Sequence, residues 1–266
     1  MYTEEALIND LKNMGLSGTE AIMVHSSMKA IGDVAGGADT VVDAFMNYFR
    51  EGLLMMPTHT WAQMNAEYST FNPATEPACV GILPNTFRKR EGVVRSLHPT
   101  HSIAAYGKAA TEYIKGEEHA TTPCPPGGCW DRLREVNAKI LLLGVTHGRN
   151  TFIHSVDEAL NIHDRLTDET TLMHIVMPDG SLKDVAMHRH YNRVIGSGSF
   201  SDHFDKMKQA FYDLGAAKAV KFGDADCILC DAGKIFEVCK HLFAIEETCI
   251  IERDEIPVEW WREKDV

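Results

Sequence analysis

Along most of the chain, short apolar runs alternate with segments of helical periodicity, the pattern of strands interleaved with helices in an α/β fold. The runs Ile22–Val24, Leu53–Met56 and Ile140–Leu143 are apolar throughout, as strands are when both sheet faces are covered. Gly36-Gly37 leads into Thr40–Phe49, whose apolar positions 41, 42, 45, 46 and 49 have helical spacing, with Asp39 or Thr40 as the expected N-cap. The first fifteen residues read as a polar helix. The stretch from Thr60 to about Val80, with Pro73 and Pro77, reads as a surface loop, and TTPCPPGGCW at 121–130 as another that closes on a helix near Asp131. Further on, Thr171–His188 reads as two strands turning at Pro178-Asp179-Gly180, Ser201–Leu214 as a helix capped by Ser201 or Asp202, DCILC as a strand and Ala232–Leu242 as a helix. There is no internal repeat.

The three apolar runs end alike. The first runs into His25-Ser26-Ser27, the second into Thr58-His59-Thr60 and the third into Thr146-His147-Gly148. Ligands of open α/β sheets collect at the carboxyl ends of strands, so three histidine-bearing strand ends point to one site.

Composition narrows the function. A 44% hydrophobic chain of 266 residues can bury a sizeable core, and no apolar run approaches the roughly 20 residues of a membrane span. Without a signal-like apolar segment the expected location is the cytoplasm. Seven cysteines at irregular spacing then read as reduced thiols, and Cys227-x-x-Cys230 lies in a buried-strand pattern with no second pair to complete a zinc site. The net charge of −12 excludes nucleic acid as the main partner and suits a cationic small molecule as well as simple solubility.

Four segments hold residues suited to chemistry. His25-Ser26-Ser27 with the Gly36-Gly37 turn offers N–H groups for a phosphate or an amide, although such turns are often only turns. His98-Pro99-Thr100-His101-Ser102 is a rigid polar turn that serves structure or ligand. In Asn150-Thr151-Phe152-Ile153-His154, a helix start puts His154 on the first turn, with Asp157 and Glu158 at i+3 and i+4 on its face, as a base and its carboxylate would be. His188 and His190, two apart, would share one face of a strand, a substrate wall or half of a metal site that lacks a nearby Cys or carboxylate partner. No Ser-centred nucleophile elbow is present.

Taken in order, MVHSSMKAIGDVAGGADTVVDAF, LLMMPTHTW, FNPATEP, VVRSLHPTHSIAAYGKAA, ILLLGVTHGRNTFIHSVDEAL and SDHF resemble the aminoglycoside 3-N-acetyltransferase family over nearly the whole chain. The resemblance implies a three-layer α/β/α sandwich spanning 1–266 as one domain, with a small β-rich insertion at about 168–200. It implies acetyl-CoA as donor, an amine as acceptor, His154 as general base and Asp157 beside it. Ser26, Ser27, Met28, Lys29, Ala30, Ile31 and Gly32 are then expected along coenzyme A, with Thr100, His101 and Ser102 near the thioester, where the two loops would also supply oxyanion donors. His98, His188, His190 and Asp202 are expected on the acceptor side. No metal is expected, and the partners are coenzyme A and a small amine, with a homodimer as the oligomeric expectation. One departure stands out: Met187-His188-Arg189-His190-Tyr191 carries no carboxylate where family members carry acids, which questions the acceptor more than the donor. The competing reading is a CoA-binding relative without catalysis; a hydrolase built on the histidine pair is a more distant one.

Overall fold

The computed structural model describes residues 1–196 and 200–262. The chain begins with α1 (Glu4–Asn13), β1 (Ala21–Ser26), α2 (Ala38–Tyr48), β2 (Leu53–Pro57) and β3 (Thr70–Phe71). It continues through α3 (Ile82–Phe87), β4 (Val94–Arg95), β5 (Ile103–Gly107), α4 (Ala110–Tyr113), α5 (Arg132–Glu135), β6 (Lys139–Leu143) and α6 (Phe152–Ala159). The last part holds β7 (Thr171–Val176), β8 (Leu182–Met187), α7 (Lys208–Asp213), β9 (Ala217–Phe222), β10 (Ala225–Asp231) and α8 (Ala232–Ile245).

Seven strands form one sheet in the order β4-β5-β2-β1-β6-β10-β9. The three apolar runs are its parallel centre: β1 pairs with β2 and with β6 in parallel, while β5, β10 and β9 join antiparallel. Alternation along each central strand feeds two cores. Ile22, Val24, Leu141 and Leu143 face the side covered by α1, α2 and α3, whereas Met23, Ile140 and Leu142 face α5, α6 and α8. Each such side chain, fully buried, contributes about 1.5–3 kcal/mol. The result is the expected three-layer sandwich. Cys227 and Cys230, three apart on β10, fall into opposite cores, so the CxxC spacing brings no thiol pair together.

Several local expectations change. Helix α2 starts earlier than Thr40, capped by Gly37 at φ 64° with no side-chain cap. The segment expected as one helix from Ser201 is a 3₁₀ helix over Phe200–Met207 followed by the short α7. The 60–80 stretch is not all loop: Thr70–Phe71 pairs in parallel with His174–Ile175 and completes a three-stranded sheet β3-β7-β8 with its own core of Met64, Phe71, Met173, Ile175, Val185 and Met187. A two-residue strand gives no periodicity to detect. The hairpin turns at 178–180 as read, and residues 197–199 of the expected insertion lie outside the described residues.

At the functional edge, Gly144 follows β6 at φ 65°, and a Cβ there would stand 2.2 Å from Ala30 Cβ. The close approach lets the loop after β1 dock on β6, with Ser27 N–H donating to Leu143 O at 2.9 Å. Gly180, at φ 84° in the hairpin turn, has nothing within 4 Å of the same position. Gly144→Ala is expected to lower unfolding stability by about 2–5 kcal/mol, strain plus overpacking, and Gly180→Ala by about 1–2 kcal/mol from strain alone. Equal losses in chemical denaturation would remove the docking argument.

Candidate active site

Six imidazoles converge at the carboxyl edge of the sheet. His25 ends β1, His59 follows β2, His98 and His101 sit in the turn before β5, His154 is the third residue of α6, and His190 follows β8. Trp130 binds them together. Its ring lies 5.7 Å from His25 and 5.3 Å from His59 between centroids, and its indole N–H donates to His101 O at 2.9 Å. His101 in turn meets His59 at 4.7 Å and His190 at 5.2 Å. His190 stacks on His154 at 3.8 Å and 14°, and Phe204 closes the other flank of His154 at 4.8 Å. Of the three histidine-bearing strand ends, two reach this cluster. His147 instead packs on Phe211 at 4.8 Å.

Hydrogen bonds separate the structural members from the accessible ones. The backbone N–H groups of Thr100 and His101 both donate to His98 Nδ1, at 3.2 and 3.0 Å, so the proton of a neutral His98 belongs on Nε2, which donates to Thr122 O at 2.9 Å. With both nitrogens engaged and no exposed surface, His98 shapes the turn and does not meet an acceptor. Ser102 is likewise spent: its hydroxyl donates to Thr58 O at 2.8 Å and accepts from Arg95 Nε at 3.1 Å. The Ser27, Thr100 and His101 N–H groups are also committed, which removes them as oxyanion donors. Ser26 Oγ remains a buried hydroxyl with no partner among the described residues.

Burial sets the protonation states, because a low-dielectric environment disfavours the charged form. His25 is pushed down to about 3 by burial alone. Burial, and then the neighbouring imidazoles, hold His59 and His101 well below their ordinary range. His154 is held well below it too, by burial, then by His190, His59 and Arg165. One helical turn on, burial raises the Asp157 carboxyl to about 7 against the opposing pull of Arg165, whose Nε is 3.7 Å away. Both Asp157 oxygens and His154 Nδ1 lack hydrogen-bond partners among the described residues. Glu158 is turned elsewhere, accepting from Cys124 N–H at 2.8 Å and contacting His190 Nε2 at 3.0 Å.

A cleft of about 690 Å³ opens beside this helix, lined among others by Asp157, Glu158, Asp164, Asp168, Thr122 and His188. The carboxylates of this cleft come from α6 and the segment after it, and Arg165 and Arg193 line it too. The strand reading of His188 and His190 fails, because β8 ends at Met187: His188 Nδ1 turns to Thr167 O at 2.7 Å and lines the cleft, while His190 turns into the cluster. Asp202 is exposed near Gly148 and is not among the cleft-lining residues. Residues 28–31 form a 3₁₀ turn closed by Gly32 at φ 87°. Ile31 is wholly buried with its carbonyl bonded to Asp224 N–H, while Lys29 is exposed. Sequence reasoning missed Trp130 and Arg165, which carry no motif and are recruited from a loop and a turn. His59 was flagged by its strand end, and Glu158 by its i+4 spacing.

Comparison with known proteins fits this geometry. Residues 23–244 match the family model described as aminoglycoside 3-N-acetyltransferase. Aminoglycoside N(3)-acetyltransferase VII of Streptomyces paromomycinus is 32% identical over 173 residues, covering 58% of this chain and 60% of that protein. Aminoglycoside N(3)-acetyltransferase IX of Micromonospora chalcea is 26% identical, covering 88% of this chain and 90% of that one. Among solved structures, AAC-IIIb in a binary complex with CoASH superposes with a TM-score of 0.77 at 23% identity, covering 90% of this chain and 96% of that one.

The depressed imidazoles have a thermodynamic consequence. An unfolded histidine takes up a proton near pH 6.5, whereas folded His25, His59, His101 and His154 do not, so stability is lost as pH falls below that value. Asp157 works in the opposite sense, because its raised folded value favours the folded state as it protonates below about 7. Four rings outweigh the one carboxyl, which predicts a net loss of stability as pH falls from about 6.5 to 5. Urea denaturation across that range measures it; a flat profile would show that the rings are hydrated.

Proposed function

Because the chain belongs to the aminoglycoside 3-N-acetyltransferase family and is thereby an acyltransferase, we propose that it transfers the acetyl group of acetyl-CoA to an amine of an aminoglycoside-class acceptor, with His154 as general base. The observation that carries this reading is a buried, neutral His154 one helical turn before Asp157 and Glu158, which line a cleft together with Asp164, Asp168, Arg165 and Arg193. A neutral imidazole can take a proton at ordinary pH, and carboxylates attract ammonium groups.

The acceptor nitrogen attacks the thioester carbonyl carbon, a C–N bond forms, the C–S bond breaks and coenzyme A leaves as a thiolate, which becomes the thiol by taking the proton that His154 has received from the nitrogen. The proton shed by the nitrogen passes to His154. Burial disfavours the resulting imidazolium, and Asp157 at i+3 offsets that cost when it is in its carboxylate form. His190, anchored by Glu158, holds the His154 ring by stacking. In this reading coenzyme A lies along Ser26–Gly32, as the family resemblance implies; a solved neighbour in complex with CoASH supports the ligand, and the Ser26 hydroxyl is an uncommitted donor at the start of that loop. Of the earlier oxyanion candidates, this hydroxyl is a buried one with no hydrogen-bond partner among the described residues. A non-catalytic relative is disfavoured because base, carboxylate and cleft are all present together.

His154→Ala is expected to lower thiol release with acetyl-CoA and an aminoglycoside by about 10²–10⁴-fold while coenzyme A binding by calorimetry stays unchanged. Full turnover in that variant would overturn the assignment of the base. Thiol release with arylamines but no aminoglycoside would overturn the acceptor class.

A further inference from the structure

The sequence offers His190 no metal-binding companion, but the fold supplies two. The loop at 121–130 brings Cys124 against the end of α6, and the segment after β8 brings His190 to the same point. One potential ligand atom from each of Cys124, Glu158 and His190 lies within 4.8 Å of the other two. Glu158 is the hub: its Oε1 contacts His190 Nε2 at 3.0 Å and accepts from the Cys124 backbone N–H at 2.8 Å. Cys124 is fully buried, and the Glu158 and His190 side chains are only 3% and 11% exposed.

We propose that Cys124 Sγ, a Glu158 carboxylate oxygen and His190 Nε2 form a binding site for one zinc-class divalent cation in the cleft wall.

The donor set suits that cation. A thiolate, an imidazole and a carboxylate are the three ligand types zinc takes at about 2.0–2.3 Å, which places ligand atoms roughly 3.3–3.6 Å apart around a tetrahedral ion. The observed spread needs only small side-chain rotations to close on that geometry. A harder cation such as magnesium would reject the sulfur. Three protein ligands leave a fourth position for water or for an acceptor oxygen or nitrogen, and Glu158 and Thr122 put that position at the cleft. The bound ion would tie the 121–130 loop, α6 and the segment after β8 together, and so hold His190 in place against His154. This site does not depend on the identity of the acceptor.

The test is metal content of the full chain, loaded with zinc near neutral pH and then desalted. About one equivalent per chain is expected in the unaltered protein and in the control Cys79→Ser, and background levels in Cys124→Ser and His190→Ala. Loading with cobalt provides a readout that requires no variant to fold: a thiolate-to-cobalt charge-transfer band should appear in the unaltered chain. No retained zinc and no cobalt–thiolate band would overturn the site. Retention of a full equivalent by Cys124→Ser would overturn it as well.

Discussion

Water is kept away from a group of imidazoles that would each take a proton if hydrated. Trp130 fills the centre of that group, Phe200 and Phe204 close it on the side of His154, and the sheet edge forms its floor. A charge on His25, His59, His101 or His154 would lose its hydration with no carboxylate bonded to the ring, so these four stay neutral. Neutrality leaves His154 able to accept a proton in the proposed reaction, while burial and the neighbouring rings make that proton costly to keep. The chemistry proposed here follows from that exclusion more than from any single hydrogen bond.

The fold provides it through strand direction. β1, β2 and β6 run parallel, so their carboxyl ends open on one edge, and His25 and His59 arrive there as a consequence of topology. The third contribution comes through α6, which begins beyond β6 and carries His154, Asp157 and Glu158 on its first two turns. Gly144 allows the loop after β1 to pack against β6 at a distance no side chain would tolerate. The small sheet then delivers His190 from a remote part of the chain to stack on His154.

Much of this was legible before any coordinates. Fully apolar runs announced buried parallel strands, and polar residues at their ends announced the site. Helical spacing from His154 singled out Asp157 and Glu158, yet Asp157 makes no hydrogen bond to the ring and Glu158 turns to Cys124 and His190. Residues reached through loops were hidden, since Trp130, Arg165 and Cys124 have no periodicity to report them. The strand reading of His188 and His190 erred because alternation continues past the last ladder bond at Met187, after which each ring follows its own partner. The segment 187–191 carries no acid, and the carboxylates that line the cleft come from 157–168. His98 and Ser102 looked like ligand contacts, yet their polar atoms are consumed in building the turn.

The central claim is that His154 is a buried neutral base, and the ring itself can report this. Its imidazole carbon–proton resonance, assigned by difference from a His154→Gln variant, can be followed by NMR as pH is lowered through about 6.5, where a free histidine titrates. The account predicts that the signal keeps its neutral position through that range. A titration step centred at or above that value would contradict it.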